Sequence, residues 1–274
     1  MSSFKYAISG GTGWLGREVI RSLIDKRMIS SPEDICVFSS QSAELYFPEF
    51  GRIVTRPFLE NDSRKIQSVD GFFHLAFLTR NLLTKYGFSK YVEINNQLTA
   101  KAIELIRVTN PTFVVNVSSG AVFSRESREL EKSIHANPYG YLKLSEESLL
   151  IEACDKLSIN LCIGRLWGAT GSQMPINRAY AISDFISQAI FDNRIMIDSS
   201  NLVFRRYCDA SEFMVLLFLA AQKSRFTALD SGGPKVEIGD LAELIAKEIG
   251  TGLEIIRKVD DAAAPDDYYS RSKL

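Results

Sequence analysis

Residues 10–16 read Gly-Gly-Thr-Gly-Trp-Leu-Gly, and this stretch decides the fold of the chain. It follows an apolar run over 4–9 that predicts a first β-strand, and it leads into residues 17–24, whose apolar spacing is helical. A strand, a glycine turn and a helix start direct backbone N–H groups and the positive end of the helix dipole at one point. Because Gly10, Gly13 and Gly16 carry no side chains, a pyrophosphate can approach closely. The stretch therefore predicts a dinucleotide-binding turn, with the spacing GxxGxxG in place of the more widely quoted GxGxxG.

Composition excludes several classes of protein. With 274 residues, 46% hydrophobic and 24% charged, the chain can bury a large core and is not disordered. A formal net charge of −1 gives no electrostatic reason to bind nucleic acid or an anionic membrane, and no apolar stretch reaches membrane-spanning length. The four cysteines form no CxxC pair and suit a reducing compartment, while two histidines argue against a histidine-based metal site. We therefore expect a cytoplasmic protein without metal, nucleic-acid or membrane partners.

Apolar runs alternate with helical patterns through the first two thirds of the chain. The predicted strands are Lys5–Ser9, Asp34–Ser39, Arg52–Thr55, Gly71–Leu75, Thr112–Ser118 and Asn160–Leu166. The predicted helices are Trp14–Arg27, Ser63–Ser68, Val92–Val108 and Tyr139–Leu157. This alternation predicts an α/β fold with a doubly wound, Rossmann-type parallel sheet over residues 1–166.

Beyond residue 166 the alternation loosens. Helical patterns occupy 178–192, 211–222 and 238–249, and a short strand is predicted over 195–197. We expect residues 167–274 to form mainly a small C-terminal substrate lobe, with segments returning to the core. Such a lobe would close over the carboxyl ends of the strands, where ligands of these folds bind.

A second cluster carries candidate chemistry. A predicted strand ends at Ser118-Ser119, and Tyr139 and Lys143 follow at the start of a predicted helix. Hydride transfer between a nicotinamide and an alcohol or ketone requires a proton to move, and a tyrosine carries it only if its pKa of about 10 falls towards neutrality. A fall of about three units requires about 4 kcal/mol of phenolate stabilisation. An ammonium group one helical turn away supplies it, so we expect Tyr139 and Lys143 to act together.

The Tyr-x-x-x-Lys spacing alone is weak evidence. It occurs at Tyr86/Lys90, Tyr139/Lys143 and Tyr269/Lys273. Only the middle pair opens a predicted helix shortly after a strand that ends in serines, and the other two pairs are expected to be exposed surface pairs.

Together these motifs resemble those of the extended short-chain dehydrogenases/reductases, which include nucleotide-sugar epimerases, dehydratases and 4-ketosugar reductases. Matches to the family motifs cover nearly the whole chain: Gly10, Gly13 and Gly16; His74-Leu75-Ala76; Asn95 and Thr99; Ser119 four residues before Phe123; Arg165-Leu166-Trp167; and Arg205-Arg206-Tyr207 with Glu212. The resemblance implies an NAD(P)-dependent oxidoreductase or epimerase acting on a hydroxyl or keto carbon of a sugar or nucleotide-sugar.

The resemblance also implies roles for residues. Tyr139 would be the general acid/base, Lys143 would hold the nicotinamide ribose and lower the tyrosine pKa, and Ser119, preferred over Ser118, would polarise the substrate oxygen. The expected cofactor contacts are Gly10, Thr12, Gly13, Trp14, Leu15, Gly16, Arg17, Ser39, Leu75, Ala76, Asn95, Tyr139 and Lys143. The expected substrate contacts are Arg165 and Arg205, with Arg205 on the diphosphate. A homodimer through the helices at 92–108 and 139–157 is also implied.

Several alternatives remain open at this point. His74 could be a hydrogen-bonded core histidine, Asn95 could cap its helix, and Arg205 could form a surface ion pair. The chain could also be a non-catalytic cofactor-sensing or scaffold protein on the same fold, although Ser119, Tyr139 and Lys143 argue against it.

The chain departs from the family pattern in ways that narrow the function. The second strand ends in Ser39-Ser40 without the Asp or Glu that binds the ribose of NAD, and Arg17 follows the third glycine, which favours NADP over NAD. The 4,6-dehydratases carry Asp-Glu where this chain has Gly120-Ala121, so dehydration is not expected. Gly168 stands where relatives bind the sugar nucleotide with Asn.

Overall fold

The computed structural model describes residues 2–176, 180–250, 252–260 and 262–270. The strands, in chain order, are β1 (Ser2–Ser9), β2 (Ile35–Ser39), β3 (Glu44–Phe47), β4 (Gly51–Val54), β5 (Arg56–Pro57), β6 (Ile66–His74), β7 (Phe113–Ser119), β8 (Asn160–Leu166), β9 (Ala169–Thr170), β10 (Arg194–Ile197), β11 (Val203–Arg206), β12 (Cys208–Asp209), β13 (Phe226–Asp230), β14 (Lys235–Glu237), β15 (Glu254–Arg257) and β16 (Asp266–Tyr268). The helices are α1 (Trp14–Asp25), α2 (Leu83–Tyr86), α3 (Phe88–Thr109), α4 (Pro138–Leu157), α5 (Ala181–Phe191), α6 (Ala210–Lys223) and α7 (Ile238–Ile249). The chain divides into two compact units, one of residues 1–166 and 210–230 and the other of residues 167–209 and 231–274.

The first unit is built on a seven-stranded sheet in the order β13-β8-β7-β6-β1-β2-β5. All of its strand pairs are parallel, so the predicted α/β fold with a Rossmann-type sheet is confirmed. Every residue of β7 is buried, which explains its continuous apolar run. Ser9 pairs with His74, and His74 pairs with Asn116, so the carboxyl ends of β1, β6 and β7 lie side by side.

Successive residues of the central strands pack on opposite faces of this sheet. Phe72 belongs to the core formed with α3 and α4, where it joins Leu105 and Leu150. The ring of Phe73 instead stacks on Phe218 of α6, with 6.1 Å between centroids. Burial on both faces fixes the register of the strands, and the register in turn fixes the position of every residue at their carboxyl ends.

The structure differs from the sequence prediction at three local elements. The helix predicted over 63–68 is only a 3₁₀ turn over Ser63–Lys65, because Ile66 and Val69 are buried as part of β6. The strand predicted over 52–55 forms β4, but β4 pairs antiparallel with β3 outside the main sheet. Strand β13, which pairs with β8 at the sheet edge, was not predicted because its half-exposed residues give no apolar run.

The described part of the second unit consists of small sheets and the helices α5 and α7. The strand pairs are β10 with β15 and β9 with β12, and β14, β11 and β16 form a three-stranded sheet. Helices α5 and α7 enclose a core that includes Phe185, Ile195 and Leu241. Of the helix predicted over 178–192, residues 178 and 179 lie outside the described residues, and α5 occupies Ala181–Phe191. None of the helices in the described ranges has the length and hydropathy needed to cross a membrane.

Candidate active site

The glycine turn is too crowded for side chains. Gly10 has a φ of +74°, and a Cβ there would lie 2.9 Å from the backbone nitrogen of Ala76. A Cβ at Gly11 would lie 2.1 Å from a methyl group of Val37, and one at Gly16 would lie 2.3 Å from the carbonyl oxygen of Gly10. The turn therefore packs between the end of β2 and the segment that follows β6, where Leu75 and Ala76 lie. A contact of Leu75 and Ala76 with a cofactor stays a prediction.

The N-terminus of α1 has no capping hydrogen bond from a side chain among the described residues. Gly13 is the N-cap residue, and no side chain in the described part of the chain makes a capping hydrogen bond there. Thr12 is exposed, and Trp14 and Leu15 are half-buried at the helix start. A helix N-terminus without a side-chain cap attracts an anionic group through its N–H groups and dipole. These residues fit the pyrophosphate of a dinucleotide.

The end of β2 is only partly available to a ligand. Ser39 is buried, and its hydroxyl lies 2.6 Å from the Thr55 hydroxyl and contacts the carbonyl oxygen of Gln41. The Ser39 side chain, expected on the cofactor, is thus engaged within the protein. Arg17 is half-buried, and its side chain has no hydrogen bond or ion pair within the described ranges. Thr55 was missed by sequence analysis because it comes from a separate hairpin.

The two serines at the end of β7 have different partners. The Ser118 hydroxyl donates to Oε1 of Glu147 at 2.5 Å, which fixes it inside the protein. The Ser119 oxygen accepts from the Ala121 backbone N–H at 3.1 Å and caps the 3₁₀ turn over Gly120–Val122. Its own proton has no partner in the described residues. This arrangement supports Ser119 rather than Ser118 as the donor to a substrate oxygen.

Helix α4 brings Tyr139 to this turn. Asn137 caps the helix by accepting from the Gly140 N–H at 3.1 Å. A Cβ at Gly140 would lie 2.0 Å from the carbonyl oxygen of Ala121, so the glycine allows the helix start to rest on the turn after Ser119. Tyr139 is half-buried, and its ring meets the ring of Phe77 edge-on with 5.8 Å between centroids.

Lys143 is buried one turn after Tyr139 on α4. Its Nζ donates to the carbonyl oxygen of Val117 at 2.9 Å and to Oε2 of Glu146 at 2.8 Å. The same atom lies 3.9 Å from the centroid of the Phe77 ring, a cation–π contact. Phe77 therefore touches both members of the predicted Tyr139/Lys143 pair.

Glu146 is fully buried and joins Lys143 to the ends of two strands. Its Oε1 lies 3.1 Å from His74 Nε2, and His74 Nδ1 lies 2.7 Å from the Ser9 hydroxyl. Burial by itself raises the pKa of Glu146, but the charge of Lys143 and the hydrogen bonds from His74 and Lys143 outweigh it, so that the pKa is lowered. His74 is thus a buried, hydrogen-bonded histidine of the core, which is the alternative to a cofactor-bordering role that the sequence left open.

Glu147, the next residue on α4, binds Arg165 rather than Lys143. Its two carboxylate oxygens accept from Arg165 Nε and Nη2 at 3.0 and 2.7 Å. The Ser118 hydroxyl donates a further hydrogen bond to the same buried carboxylate. The hydrogen bond to Glu147 raises the pKa of Arg165. Arg165, expected on the substrate, is therefore held inside the first unit by a bidentate pair. Neither Glu146 nor Glu147 was identified from sequence, although their spacing of three and four residues from Lys143 places them one helical turn away.

Asn95 lies in the interior of α3, which begins at Phe88, so the capping alternative is wrong. Its Oδ1 accepts from the Leu78 N–H at 2.8 Å, and the Tyr91 hydroxyl donates to the Leu78 carbonyl oxygen at 2.8 Å. Together they fix the segment that follows β6. Burial raises the pKa of Tyr91 to about 12, which makes Tyr91 a poor proton carrier.

A cavity of about 410 Å³ opens beside Tyr139 within the first unit. The polar residues that line it include Arg80, Tyr91, Arg125, Glu131, Asn137 and Tyr139. The guanidinium carbon of Arg80 lies 5.9 Å from the centroid of the Tyr139 ring. Arg80 is exposed and makes no ion pair among the residues described. The cavity is large enough for a sugar and has a cation beside the candidate acid/base.

Arg205 lies in the second unit. Its guanidinium donates to the carbonyl oxygens of Phe204 and Asp266 and forms a 2.7 Å ion pair with the Asp266 carboxylate. These bonds connect β11 to β16, as the ion-pair alternative expected, and a role on a substrate diphosphate stays a prediction. Of the other Tyr-x-x-x-Lys pairs, Tyr86 is exposed and Lys273 lies outside the described residues.

Metal and thiol chemistry find little support in the described part of the chain. No group of three or more His, Cys, Asp or Glu side chains is placed to hold a metal ion there. Burial raises the pKa of Cys36 to about 11 and those of Cys154 and Cys162 to about 12, so these thiols are poor nucleophiles.

The parallel sheet and its glycine turn are typical of dinucleotide-binding enzymes, and comparison with known proteins identifies the family. Residues 6–231 match the model of the NAD dependent epimerase/dehydratase family, and the chain belongs to this family. The predicted resemblance and the prediction of an enzyme are therefore confirmed.

The alignments with curated relatives and with solved structures cover nearly the whole chain. UDP-glucuronic acid decarboxylase 5 of Arabidopsis thaliana is 23% identical over 295 residues, which covers 98% of this chain and 81% of the relative. A UDP-N-acetylglucosamine 4-epimerase from Methanobrevibacter ruminantium, in complex with UDP-N-acetylmuramic acid, superposes with a TM-score of 0.79 at 19% identity, covering 98% of this chain and 90% of that one. A UDP-glucuronic acid 4-epimerase from Bacillus cereus, in complex with UDP-glucuronic acid and NAD, gives 0.73 at 18% identity, with 97% and 90% covered. At these identities the structural likeness shows the fold.

Proposed function

We propose that the chain transfers a hydride between a nicotinamide and a hydroxyl- or keto-bearing carbon of a nucleotide-linked sugar, with Tyr139 as general acid/base. The observation that carries this proposal is the position of Tyr139, which lines the 410 Å³ cavity while its helix rests on the turn after Ser119. The relatives named above act on or bind UDP-linked sugars, which supports the substrate class.

Each residue has a defined task in this proposal. In the oxidation direction the sugar hydroxyl loses its proton to Tyr139 while the carbinol carbon loses a hydride, so two hydrogens and two electrons leave the sugar in all. The bound nicotinamide supplies the hydride acceptor. Ser119 donates a hydrogen bond to the substrate oxygen as charge develops. Lys143 would hold the nicotinamide ribose.

We also propose that the cofactor site accepts NADP at least as well as NAD. The family and several solved neighbours are associated with NAD. In this chain, however, β2 ends at Ser39, Ser40 follows, and neither is a carboxylate. The Arg17 side chain has no partner in the part of the chain described. A guanidinium without a partner suits a 2′-phosphate, whereas a carboxylate would repel it.

An epimerase and a ketosugar reductase differ in what happens to the cofactor. An epimerase keeps its cofactor and returns the hydride to the other face of the same carbon, whereas a reductase releases the oxidised cofactor at every turnover. Oxidation next to a sugar carboxylate would also permit decarboxylation, the activity of the plant relatives. Stoichiometric bound NAD⁺ would favour the epimerase, and reversible NADPH binding would favour the reductase.

The experiment that tests the function compares the wild-type chain with Tyr139→Phe and Tyr141→Phe on a panel of UDP-sugars, with product analysis by NMR. Tyr141 is the matched control because it lies on the same helix and is 37% exposed. We expect Tyr139→Phe to lose at least about 100-fold in turnover while it still binds the cofactor, and Tyr141→Phe to keep its activity. Equal activity of Tyr139→Phe and wild type would refute the assignment and favour the non-catalytic alternative.

We further propose that a homodimer forms through α3 and α4. These helices pack against each other, and exposed apolar residues on α4 include Tyr141, Leu149 and Ile151. Exposed apolar residues on a helix are candidates for a protein interface. Sedimentation equilibrium tests this proposal, with a Leu149→Glu variant expected to sediment as a monomer.

A further inference from the structure

We propose that Glu146 is a positioning residue for Lys143, whose carboxylate fixes the ammonium group and compensates its charge beside Tyr139. A lysine one turn from a tyrosine is ordinarily expected to stabilise the phenolate with a full positive charge. In this chain the lysine is paired instead. The catalytic meaning of the inference rests on the proposed function, but its test does not.

The ammonium of Lys143 is directed by three neighbours. Val117 accepts one N–H through its carbonyl oxygen at 2.9 Å, Glu146 accepts another at 2.8 Å, and the Phe77 ring faces the nitrogen at 3.9 Å. The Lys143 side chain is 4% exposed and the Glu146 side chain 0% exposed. Because solvent does not reach the Lys143–Glu146 pair, its ionic hydrogen bond is not screened. Removing either partner would leave the other as an unpaired buried charge.

The position of Glu146 is fixed in turn by the sheet. The Ser9 oxygen accepts from the backbone N–H groups of Leu75 and Ala76 at 3.2 and 3.3 Å, so its own proton is donated to His74 Nδ1 at 2.7 Å. His74 Nε2 then carries the ring proton and donates it to Glu146 Oε1 at 3.1 Å. Because Ser9 and His74 are paired in register across β1 and β6, the sheet itself orients the carboxylate.

The charges around Tyr139 follow from this network. The Lys143–Glu146 ion pair itself has no net charge, so Tyr139 senses a dipole at this pair rather than an isolated lysine cation. Arg80, whose guanidinium carbon lies 5.9 Å from the Tyr139 ring centroid, forms no ion pair in the described ranges and remains as a cation on the cavity side. The remaining titratable groups that line the cavity or pack on the buried face of α4 are Tyr91, Arg125, Glu126, Glu131, Glu147 and Arg165.

Glu147 offers a matched control. It is the next residue on α4 and is equally buried, but its carboxylate is bound by Arg165 and Ser118 instead of Lys143. Replacing either glutamate with glutamine removes one buried negative charge at nearly constant volume. Only the change at position 146 should release the charge of Lys143.

The experiment measures the ionisation of Tyr139 in the full chain without cofactor or substrate. Phenolate absorbance is recorded against pH, and the titration of the Tyr139→Phe chain is subtracted so that only Tyr139 remains. The variants are Glu146→Gln, Glu147→Gln and the double variant Lys143→Met/Glu146→Gln. The double variant leaves no unpaired charge at the site, so it is expected to fold even if Glu146→Gln alone does not.

We expect Glu146→Gln to lower the midpoint of the Tyr139 titration by about 1 pH unit, because the ammonium becomes an uncompensated cation. Glu147→Gln and the double variant should stay within about 0.5 unit of the wild type. An unchanged or raised midpoint in Glu146→Gln would overturn the inference. A rise of more than about 1 unit in the double variant would also overturn it, since Lys143 would then act uncompensated in the native chain.

Failure of this inference can be told apart from failure of the proposed function. If nicotinamide nucleotides do not bind, the function is wrong, yet the titration still reports on Glu146. If nucleotides bind and Tyr139→Phe is inactive, but the Glu146→Gln titration matches the wild type, only the inference is wrong.

Discussion

A Cβ at Gly16 would lie 2.3 Å from the carbonyl oxygen of Gly10, which is closer than real Cβ contacts allow. Helix α1 can therefore begin on the glycine turn only because residue 16 has no side chain. Because Gly16 lies so close to Gly10, the N–H groups at the start of α1 lie next to the glycine turn, where we propose that the pyrophosphate binds.

Gly16→Ala is expected to push α1 away from the turn, because the neighbouring atoms are backbone and cannot yield. We predict a loss of at least about tenfold in nicotinamide-nucleotide affinity and about 1–3 kcal/mol of stability. Isothermal titration and chemical denaturation measure the two effects. The control is Gly232→Ala, where a Cβ would meet nothing within 4 Å. Equal affinities of the two variants would contradict the role of the turn.

The two serines of β7 should respond differently to removal of their hydroxyls. Ser119→Ala is expected to lower kcat by about 10²–10³-fold with little change in folding, because the lost group is a donor to developing negative charge. Ser118→Ala leaves Glu147 with one hydrogen bond fewer, so it should cost about 1–3 kcal/mol of stability and leave kcat within a few-fold. Steady-state kinetics and thermal melting distinguish them. The reverse pattern would assign catalysis to Ser118.

Arg80 is expected to support the ionised form of Tyr139. Arg80→Gln removes a cation beside the ring and should move the acidic limb of the pH–rate profile upward by about 0.5 unit, less at high salt because Arg80 is exposed. The matched control is Lys85→Gln, since Lys85 Nζ lies 5.4 Å from the ring centroid of Tyr86 and Lys85 is not among the residues that line the cavity. A profile that does not move in Arg80→Gln would exclude this role.

The second unit should lose stability in acid through Glu237. Burial alone would raise the pKa of Glu237, but hydrogen bonds from Arg257 and from two backbone N–H groups lower it from 4.5 to about 2. A lowered folded-state pKa stabilises the fold above the unfolded value, and this contribution is lost as pH falls from about 4.5 through about 2. After allowance for solvent screening, we predict a loss of about 2 kcal/mol.

Hydrogen exchange in α7 is the measurement for Glu237, because Glu237 caps that helix by accepting from the Gly239 N–H at 2.6 Å. The acid-dependent loss of protection should be absent in Glu237→Gln, which is already less protected at neutral pH. The exposed Glu248 on the same helix provides the control, and Glu248→Gln should behave as the wild type. Identical pH dependence in wild type and Glu237→Gln would show that the ion pair contributes nothing.

Much of this architecture could be predicted because its signals are local. The glycine turn, the continuous apolar run of β7 and the helix that begins near Tyr139 each occupy a few consecutive residues. Strand β13 lacked such a signal because it is half-exposed at a sheet edge. Residues 63–68 were assigned to the wrong element because pairing with β1, a non-local effect, places Ile66 in a strand.

The side-chain partners in the site could not be predicted for a related reason. The contact of His74 with Glu146 joins residues 72 positions apart, and it depends on strand register and on the rotation of α4. The engagement of Ser39 by Thr55 likewise requires the β3–β4 hairpin to fold back on β2. Sequence patterns indicated which residue types were present, but packing decided which of them are free to meet a ligand.

The central claim is that this chain is a nicotinamide-dependent enzyme, and the nucleotide content of the protein tests it most directly. The full chain is purified and denatured, any released nucleotide is identified, and NAD⁺, NADH, NADP⁺ and NADPH are titrated into protein that releases none. We predict that a nicotinamide dinucleotide either co-purifies or binds reversibly, and that Gly16→Ala weakens this binding. Absence of a released nucleotide together with no binding of any of the four would contradict the account.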